Sequence, residues 1–338
     1  MSEVLLHYTN EFRSGRDVSP YDAEAVFNEL ITSTDEDALT ALLSAWASKG
    51  TTEDELYRFA GIMRGRMTPL AHTYEAVTDI VGTGGSRAKT FNVSTAAAFV
   101  IAGAGIPVAK HGNRAATSSS GSADVLSQLG ISVDVEHTET ERHLSEHGIC
   151  FMFAPRFHSL SPTLAAARRR LTTPTIFNNL GPLCNPASAA HQVIGVWDYK
   201  LLSKTARTLQ LLGTARSWVV HGAGGLDEIG LGTTRVAEIR DGDISEFTIT
   251  AADFGLDRFD GDLPANCSAE QSAKTIKAIL SNELTGRDAE KLILVNAAAA
   301  IYVAGNAKSL VDAFQTAEKS IRDGSAIEKL YRLSEVTE

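Results

Sequence analysis

The order in which two periodicities follow one another is what most restricts the fold of this chain. Up to about residue 70, apolar residues recur at helical spacing. From about residue 76 a short apolar run, a glycine-rich turn and a helical stretch follow one another repeatedly. In the first part, Leu39, Leu42, Leu43 and Trp46 share a face, Lys49-Gly50 supplies a stop, and Thr52-x-x-Glu55 reads as a capping box. Ser19 and Pro20 read as an N-cap and first helical position ahead of Ala23, Val26, Phe27 and Leu30. In the second part, strands are expected at residues 77–81, 106–109, 131–135, 150–153, 193–196 and 218–220, with helical stretches between most of them. Residues 235–240 and 244–249, joined by Asp241-Gly242, read as a hairpin. The end is helical again: Ser268-x-x-Gln271 opens one helix, and residues 288–304 and 309–322 form two more.

Alternation of this kind builds a mainly parallel sheet covered on both faces. The expected class is α/β, with a small all-helical domain and a larger α/β domain around a mainly parallel central sheet. Residues 162–190 are helix-like between two strands and are grouped with the opening helices. The expected helical domain is therefore 1–72 and 162–190, and the α/β domain 73–161 and 191–338.

Length and composition agree with two globular domains: 338 residues, 43% hydrophobic and 21% charged, which excludes disordered, collagen-like and coiled-coil chains. A net charge of −10 argues against duplex DNA or an anionic membrane as partner. The charge is uneven, however. Residues 80–123 and 147–197 contain no Asp or Glu but hold Arg87, Lys89, Lys110, Arg114, Arg156, Arg168, Arg169 and Arg170. An anionic ligand is expected there. Three cysteines, Cys150, Cys184 and Cys267, are odd in number and lack metal-ligand spacing, which reads as reduced thiols. The opening MSEVLLHYTNEF has neither the basic nor the continuous apolar region of a signal peptide, and no stretch reaches about 20 apolar positions. A cytoplasmic protein is expected.

Several segments offer chemistry. Gly82-Thr83-Gly84-Gly85 follows a strand, and its amides can converge on phosphate oxygens. It is neither a Walker A loop nor a complete dinucleotide-fold fingerprint, and alone it is equally a plain tight turn. Thr90-Phe91-Asn92-Val93-Ser94-Thr95 places four hydrogen-bonding side chains where a helix begins, a position that favours anions. Simple N-capping by Ser94 or Thr95 explains one of these, not four. Lys110-His111-Gly112-Asn113-Arg114 follows a strand, at the end that lines the crevice of a doubly wound sheet. The hydroxyls of residues 117–122 come next, a solvated loop if taken alone. Asp227-Glu228 in a glycine-rich loop suits Mg²⁺, which takes oxygen ligands and bridges to phosphates. One or two of Arg168, Arg169 and Arg170 can face a pocket and hold a carboxylate.

Together and in this order, GTGG (82–85), FNVSTAAAF (91–99), VAKHGNR (108–114), SGSADVL (120–126), FAPRFH (153–158), TIFNNLGPLCNPA (175–187) and GLDE (225–228) resemble the anthranilate phosphoribosyltransferases. These belong to the nucleoside phosphorylase-like transferases, and the likeness covers nearly the whole chain. It implies a homodimer pairing through the helical domain. It also implies transfer of the 5-phosphoribosyl group from phosphoribosyl pyrophosphate (PRPP) to the amine of anthranilate, with Mg²⁺ and release of pyrophosphate. Matching positions make Gly82, Gly85, Ser86, Thr90, Asn92, Val93, Ser94, Thr95, Lys110, His111, Gly112, Asn113, Arg114, Ala115, Ala116, Thr117, Ser118 and Ser122 the PRPP region. Gly82, Asn113, His158 and Arg168 match anthranilate positions, and Ser94, Asp227 and Glu228 match metal positions. His111, Asn113 and Arg168 are the implied catalytic set. Anthranilate's amine is unprotonated at neutral pH, so an orienting role for the histidines outweighs that of a base.

The chain departs from the family pattern at Ser86, Ser119, Leu160-Ser161-Pro162, Arg170, Pro174 and Gly224, mostly on the acceptor side. Alternatives at this stage are a related transferase with another aromatic acceptor, a pyrimidine nucleoside phosphorylase-like enzyme, and a non-catalytic nucleic-acid-binding relative.

Overall fold

Side-chain capping fixes the starts of only some of the opening helices. The structure, a computed structural model, describes residues 2–86, 88, 90–115, 120–171, 173–257 and 259–335. Its first four helices are α1 (Glu3–Arg13), α2 (Ala23–Thr32), α3 (Glu36–Lys49) and α4 (Glu53–Arg66). Thr52 Oγ1 accepts the Glu55 N–H at 3.3 Å while the Glu55 carboxylate accepts the Thr52 N–H at 2.9 Å, the expected box at the start of α4. Gly50 ends α3 at a φ of 85°. Ser19 does not cap α2: its hydroxyl accepts the Tyr21 N–H at 3.3 Å within a turn, and the helix starts three residues after Pro20. Trp46 packs against Phe12 and Phe59 at centroid distances of 4.8 and 4.9 Å, an aromatic cluster that ties α1, α3 and α4 together.

The alternating part runs β1 (Thr78–Gly82), α5 (Val93–Gly103), β2 (Val108–Gly112), α6 (Ser122–Gln128), α7 (His137–His147) and β3 (Ile149–Phe153). Three helices follow: α8 (Ala154–Phe157), α9 (Pro162–Arg170) and α10 (Ile176–Leu183). Then come β4 (His191–Gly195), α11 (Lys200–Leu211), β5 (Arg216–Gly222), β6 (Thr234–Arg240) and β7 (Asp243–Ile249). The chain ends with α12 (Ala269–Leu280), α13 (Asp288–Val303), α14 (Leu310–Arg322) and α15 (Ser325–Ser334).

Among the described residues the strands form one sheet in the order β3-β2-β1-β4-β5-β6-β7. The first five are parallel, and β6 and β7 are antiparallel. The β6–β7 turn has Asp241 and Gly242 at φ of 52° and 86°, as a two-residue hairpin turn requires. One sheet face carries α5, α13, α14 and α15. The other carries α11 and, beyond it, the opening helices together with α9 and α10.

Residues 131–135 are not a strand. Their alternation is real, with Ile131 and Val133 buried and Ser132 and Asp134 exposed, but the two apolar residues insert into the helix-side core without pairing. The final helix α15 carries no signal recognised in the sequence.

Strand order reverses between β1 and β4, since β2 and β3 lie to one side of β1 and β4 and β5 to the other. Ligands of doubly wound sheets bind at the carboxyl ends of strands flanking such a reversal.

Candidate active site

Three glycines create the seat of the site. Gly82 and Gly195 are register partners at the ends of β1 and β4, and Gly222 ends β5. A Cβ on Gly195 would lie 1.7 Å from the Asp227 carbonyl oxygen, and one on Gly82 would lie 2.8 Å from Asp227 Oδ2. One on Gly222 would lie 2.6 Å from the Glu228 carbonyl oxygen. Absence of side chains at these strand ends therefore lets the Asp227-Glu228 loop lie across the reversal point. Asp227 Oδ2 accepts the Gly84 N–H at 2.9 Å, and Glu228 Oε1 accepts the Ser94 N–H at 3.3 Å. The two carboxylates thus face the glycine turn and the start of α5.

A cavity of about 470 Å³ opens above this seat. Of the residues expected from sequence, Gly82, Thr90, Asn92, Ser94, Thr95, Lys110, His111, Gly112, Asn113, Arg114, Ala115, Ser122, His158, Arg168, Asp227 and Glu228 line it. Gly85, Ser86 and Val93 lie off it. Gly85 turns toward Pro174, whose Cγ would be 2.7 Å from an added Cβ. The Ser86 hydroxyl donates to the Gly225 carbonyl at 2.7 Å and accepts the Ala88 N–H at 3.1 Å, a second clamp between the glycine turn and the 224–228 loop. Val93 is fully buried in the core. Ala116, Thr117 and Ser118, like the family departure at Ser119, lie outside the described residues.

The two sides of this loop, residues 113–115 and 120–122, lie against each other. Asp124 Oδ2 accepts the N–H groups of Ala115 and Gly121, each at 2.9 Å, and a Cβ on Gly121 would come within 2.4 Å of the Ala115 nitrogen. Ser120 donates to the Asn92 side-chain oxygen at 2.6 Å, tying this loop to the start of α5.

The basic residues of the acid-free windows divide by partner. Arg156 pairs with Asp134 and Glu136, Arg170 with Asp37 at 2.6 Å, and Arg114 with Asp124 at 3.3 Å. Lys110 and Arg168 differ: among the described residues neither forms an ion pair, yet both line the cavity. Lys110 is 4% exposed and gives one hydrogen bond, to the Ile80 carbonyl at 2.6 Å. Burial lowers its pKa, opposed by the charges of Asp79 and Glu228. Arg168 lies over the Phe177 ring at 5.2 Å, and burial pushes it down to about 10. A buried and a partly buried cation, neither in an ion pair among the described residues, are receptors for anions.

His111 and His158 form a fixed pair. His111 Nδ1 is 3.0 Å from the Gly181 carbonyl, which can only accept, so this nitrogen carries the proton. His111 Nε2 lies 3.2 Å from His158 Nε2. Burial, with the neighbouring His158 adding to it, pushes His111 down to about 3, and burial pushes His158 down to about 4. Both rings are neutral near pH 7, so the pair is a fixed neutral contact rather than a proton sink.

The donor set at Ser94, Asp227 and Glu228 is oxygen only. Among the described residues no group of three or more His, Cys, Asp or Glu side chains is placed to hold a metal. Two carboxylates and a hydroxyl beside a phosphate-sized cavity suit Mg²⁺, which keeps waters and shares phosphate oxygens with its substrate.

Met63, Leu160, Phe177, Asn178, Gly181 and Cys267, none of them among the expected binding residues, also line the cavity. Asn178 Nδ2 donates to the Thr83 carbonyl at 3.3 Å, and Arg64 Nε holds the end of α10 through the Leu183 carbonyl at 2.7 Å. The NNLGP run of residues 178–182 is the available signal, since polar and turn-forming residues interrupt an otherwise helical stretch there.

Comparison with known proteins gives a consistent result. The glycosyl transferase family a/b-domain model matches residues 74–327. An anthranilate phosphoribosyltransferase of Myxococcus xanthus (strain DK1622) is 46% identical over 297 residues, 87% of each chain. The crystal structure of anthranilate phosphoribosyltransferase from Thermus thermophilus superposes with a TM-score of 0.86 at 34% identity, covering 97% of this chain and 98% of that one. The Saccharomyces cerevisiae enzyme of the same name, in complex with PRPP and Mg, superposes with a TM-score of 0.87 at 27% identity, covering 99% and 98%.

Proposed function

This chain belongs to the anthranilate phosphoribosyltransferase family, and from that premise we propose that it transfers the 5-phosphoribosyl group of PRPP to the amine of anthranilate, releasing pyrophosphate. One observation carries the reading. Lys110, buried, and Arg168, partly buried, neither with an ion-pair partner among the described residues, converge with the carboxylate pair Asp227-Glu228 on one cavity at the reversal point of the sheet. Both substrates are anions, and one travels with a divalent cation.

In the reaction the C1–oxygen bond of PRPP breaks with its electron pair going to pyrophosphate, the anthranilate nitrogen bonds to C1, and the proton the amine sheds passes to the released pyrophosphate or water. Lys110 and the start of α5 hold the phosphates of the donor. Arg168, backed by Phe177, takes the acceptor's carboxylate and turns its amine toward C1, a positioning contribution. Gly82, Asn113 and His158 shape the rest of the acceptor side. His111, held by Gly181 and His158, orients the acceptor and does not take its proton. Asp227, Glu228 and Ser94 would hold Mg²⁺, which supplies charge neutralisation on the departing pyrophosphate.

The chain works in the cytoplasm as a homodimer paired through a helical domain of residues 1–72 and 162–190, the α/β domain being 73–161 and 191–338. Supporting this, α9 and α10 share a core with α1 to α4, Cys150 and Cys184 are buried thiols, and among the described residues no helix is long and apolar enough to cross a membrane. An acceptor screen with PRPP and Mg²⁺, with the chain's mass measured in solution, tests reaction class, acceptor and assembly together. Turnover of anthranilate by a dimer is the expected result. Turnover only of another aromatic acceptor, or phosphate-dependent cleavage of a nucleoside, overturns the assignment.

A further inference from the structure

Asp79 takes no part in the mechanism above, yet it is a fully buried carboxylate one strand away from Lys110. Its surroundings explain how the floor of the cavity is built. The ladders β1–β4 and β2–β3 each run for five residue pairs, whereas β1 and β2 pair only at Thr78 and Val108. Past that pair the two parallel strands part, and the backbone groups that face the gap need other partners.

Three side chains supply them. Asp79 Oδ1 accepts the His111 N–H at 3.4 Å, and Asn185 Nδ2 donates to Asp79 Oδ2 at 2.8 Å and to the Ala109 carbonyl at 2.9 Å. Lys110 Nζ donates to the Ile80 carbonyl at 2.6 Å. Asn185 is itself fixed by the Ala187 N–H, which donates to its Oδ1 at 2.9 Å. Asp79, Asn185 and Lys110 are each 4% exposed or less. The charged or titratable groups that feel Asp79 are Lys110 and the Cys150 thiol, and Lys110 also feels Glu228.

We propose that Asp79 is a positioning residue for the phosphoribosyl donor: with Asn185 it wedges β1 from β2, and it fixes the Lys110 ammonium in the gap so that its remaining N–H donors face the cavity. An uninterrupted β1–β2 ladder would bond the Ile80 carbonyl to backbone and leave the lysine no anchor at the cavity floor. The negative charge matters as well as the shape, because Lys110 has no ion-pair partner among the described residues and Asp79 opposes the cost of burying it. This inference rests on the reading that Lys110 faces PRPP.

The test is a double-mutant cycle on the full-length protein with Asp79→Asn, Lys110→Met and the pair, reading KM for PRPP, KM for anthranilate and kcat separately. Asp79→Asn keeps the size but removes the charge and replaces one of the two oxygens that accept the His111 N–H and Asn185 Nδ2 with a donor. It is expected to raise the KM for PRPP by about tenfold or more while moving the KM for anthranilate less than about twofold. In the Lys110→Met background the same change is expected to move the KM for PRPP less than about twofold, because the group it acts through is gone. Should Asp79→Asn alone fail to fold, the double variant, which buries no unpaired charge, still reports against Lys110→Met. Equal effects on both substrates, or a full effect of Asp79→Asn without Lys110, overturn the proposal. A wild-type protein that does not consume PRPP overturns instead the reading on which it rests.

Discussion

The Gly84 N–H donates to Asp227 Oδ2 at 2.9 Å, so the glycine turn after β1 and the acidic loop after β5 are held to each other across 143 residues of sequence. Ser86 repeats the link through the Gly225 carbonyl. A phosphate-sized space and a carboxylate pair are thus one unit. Replacing Asp227 and Glu228 together by Ala is expected to abolish the response to Mg²⁺ and to raise the KM for PRPP by roughly a hundredfold, with anthranilate affinity nearly unchanged. Titrating activity against Mg²⁺ at fixed PRPP, with calorimetric binding of Mg²⁺ alone, checks this. A variant that keeps the wild-type Mg²⁺ response contradicts the metal assignment.

Arg168 is expected to act on the other substrate. Charge-assisted hydrogen bonds to a carboxylate contribute about 1.5–3 kcal/mol, so Arg168→Ala should raise the KM for anthranilate by roughly 10- to 100-fold and leave that for PRPP within about twofold. Arg168→Lys keeps the charge but loses the planar fork and the stacking on Phe177, and falls between. Initial rates with each substrate varied in turn decide the point; an equal effect on both would place Arg168 outside the acceptor site.

The histidine pair carries a stability signature. His111 at about 3 and His158 at about 4 are depressed below the ordinary value of 6.5. The unfolded chain therefore binds their protons first, and their stabilising contribution is full above pH 6.5 and is lost as pH falls toward 4 and 3. Asp79, raised by burial to about 6 from 3.8, works in the opposite sense, favouring the folded state more as pH falls from 6 to 3.8. Two imidazoles outweigh one carboxyl. A His111→Gln, His158→Gln variant is expected to show a shallower fall of Tm as the pH is taken from neutral to mildly acidic than the parent. Parallel Tm-against-pH curves for the two proteins would refute it.

Gly195→Ala tests the seat itself. Its Cβ would lie 1.7 Å from the Asp227 carbonyl oxygen, so the acidic loop must move. Overpacking of this kind costs about 1–3 kcal/mol, and the displaced carboxylates should weaken use of Mg²⁺ and PRPP. Gly213→Ala is the control for a general loss of stability. No atom lies within 4 Å of its Cβ, but its φ of 78° strains any side chain, so it should cost stability without changing Mg²⁺ dependence. Thermal melts and Mg²⁺ titrations of the two variants make the comparison.

Much of this was legible in the residues. Thr52-x-x-Glu55, Asp241-Gly242 and Ser268-x-x-Gln271 mark their elements because local chemistry alone decides those ends. The acid-free windows pointed to the cavity, although Arg156 and Arg170, within them, find surface carboxylates from elsewhere in the chain. What stayed hidden was set by tertiary pairing. Residues 131–135 alternate like a strand and bury the same residues without joining the sheet. Gly195 and Gly222 look like ordinary strand-end glycines until the Asp227 loop lies on them. Asp79 and Asn185, 106 positions apart, acquire meaning only where β1 and β2 separate.

The central claim is that this cavity joins an anionic phosphoribosyl donor to an aromatic amine with the help of a divalent cation. Continuous fluorescence of anthranilate in the presence of PRPP and the purified chain, with and without Mg²⁺, tests it most directly. A loss of anthranilate fluorescence that requires PRPP and Mg²⁺ and is matched mole for mole by pyrophosphate is expected. No loss of fluorescence over a broad range of both substrates, or a loss unaffected by omitting PRPP, would contradict it.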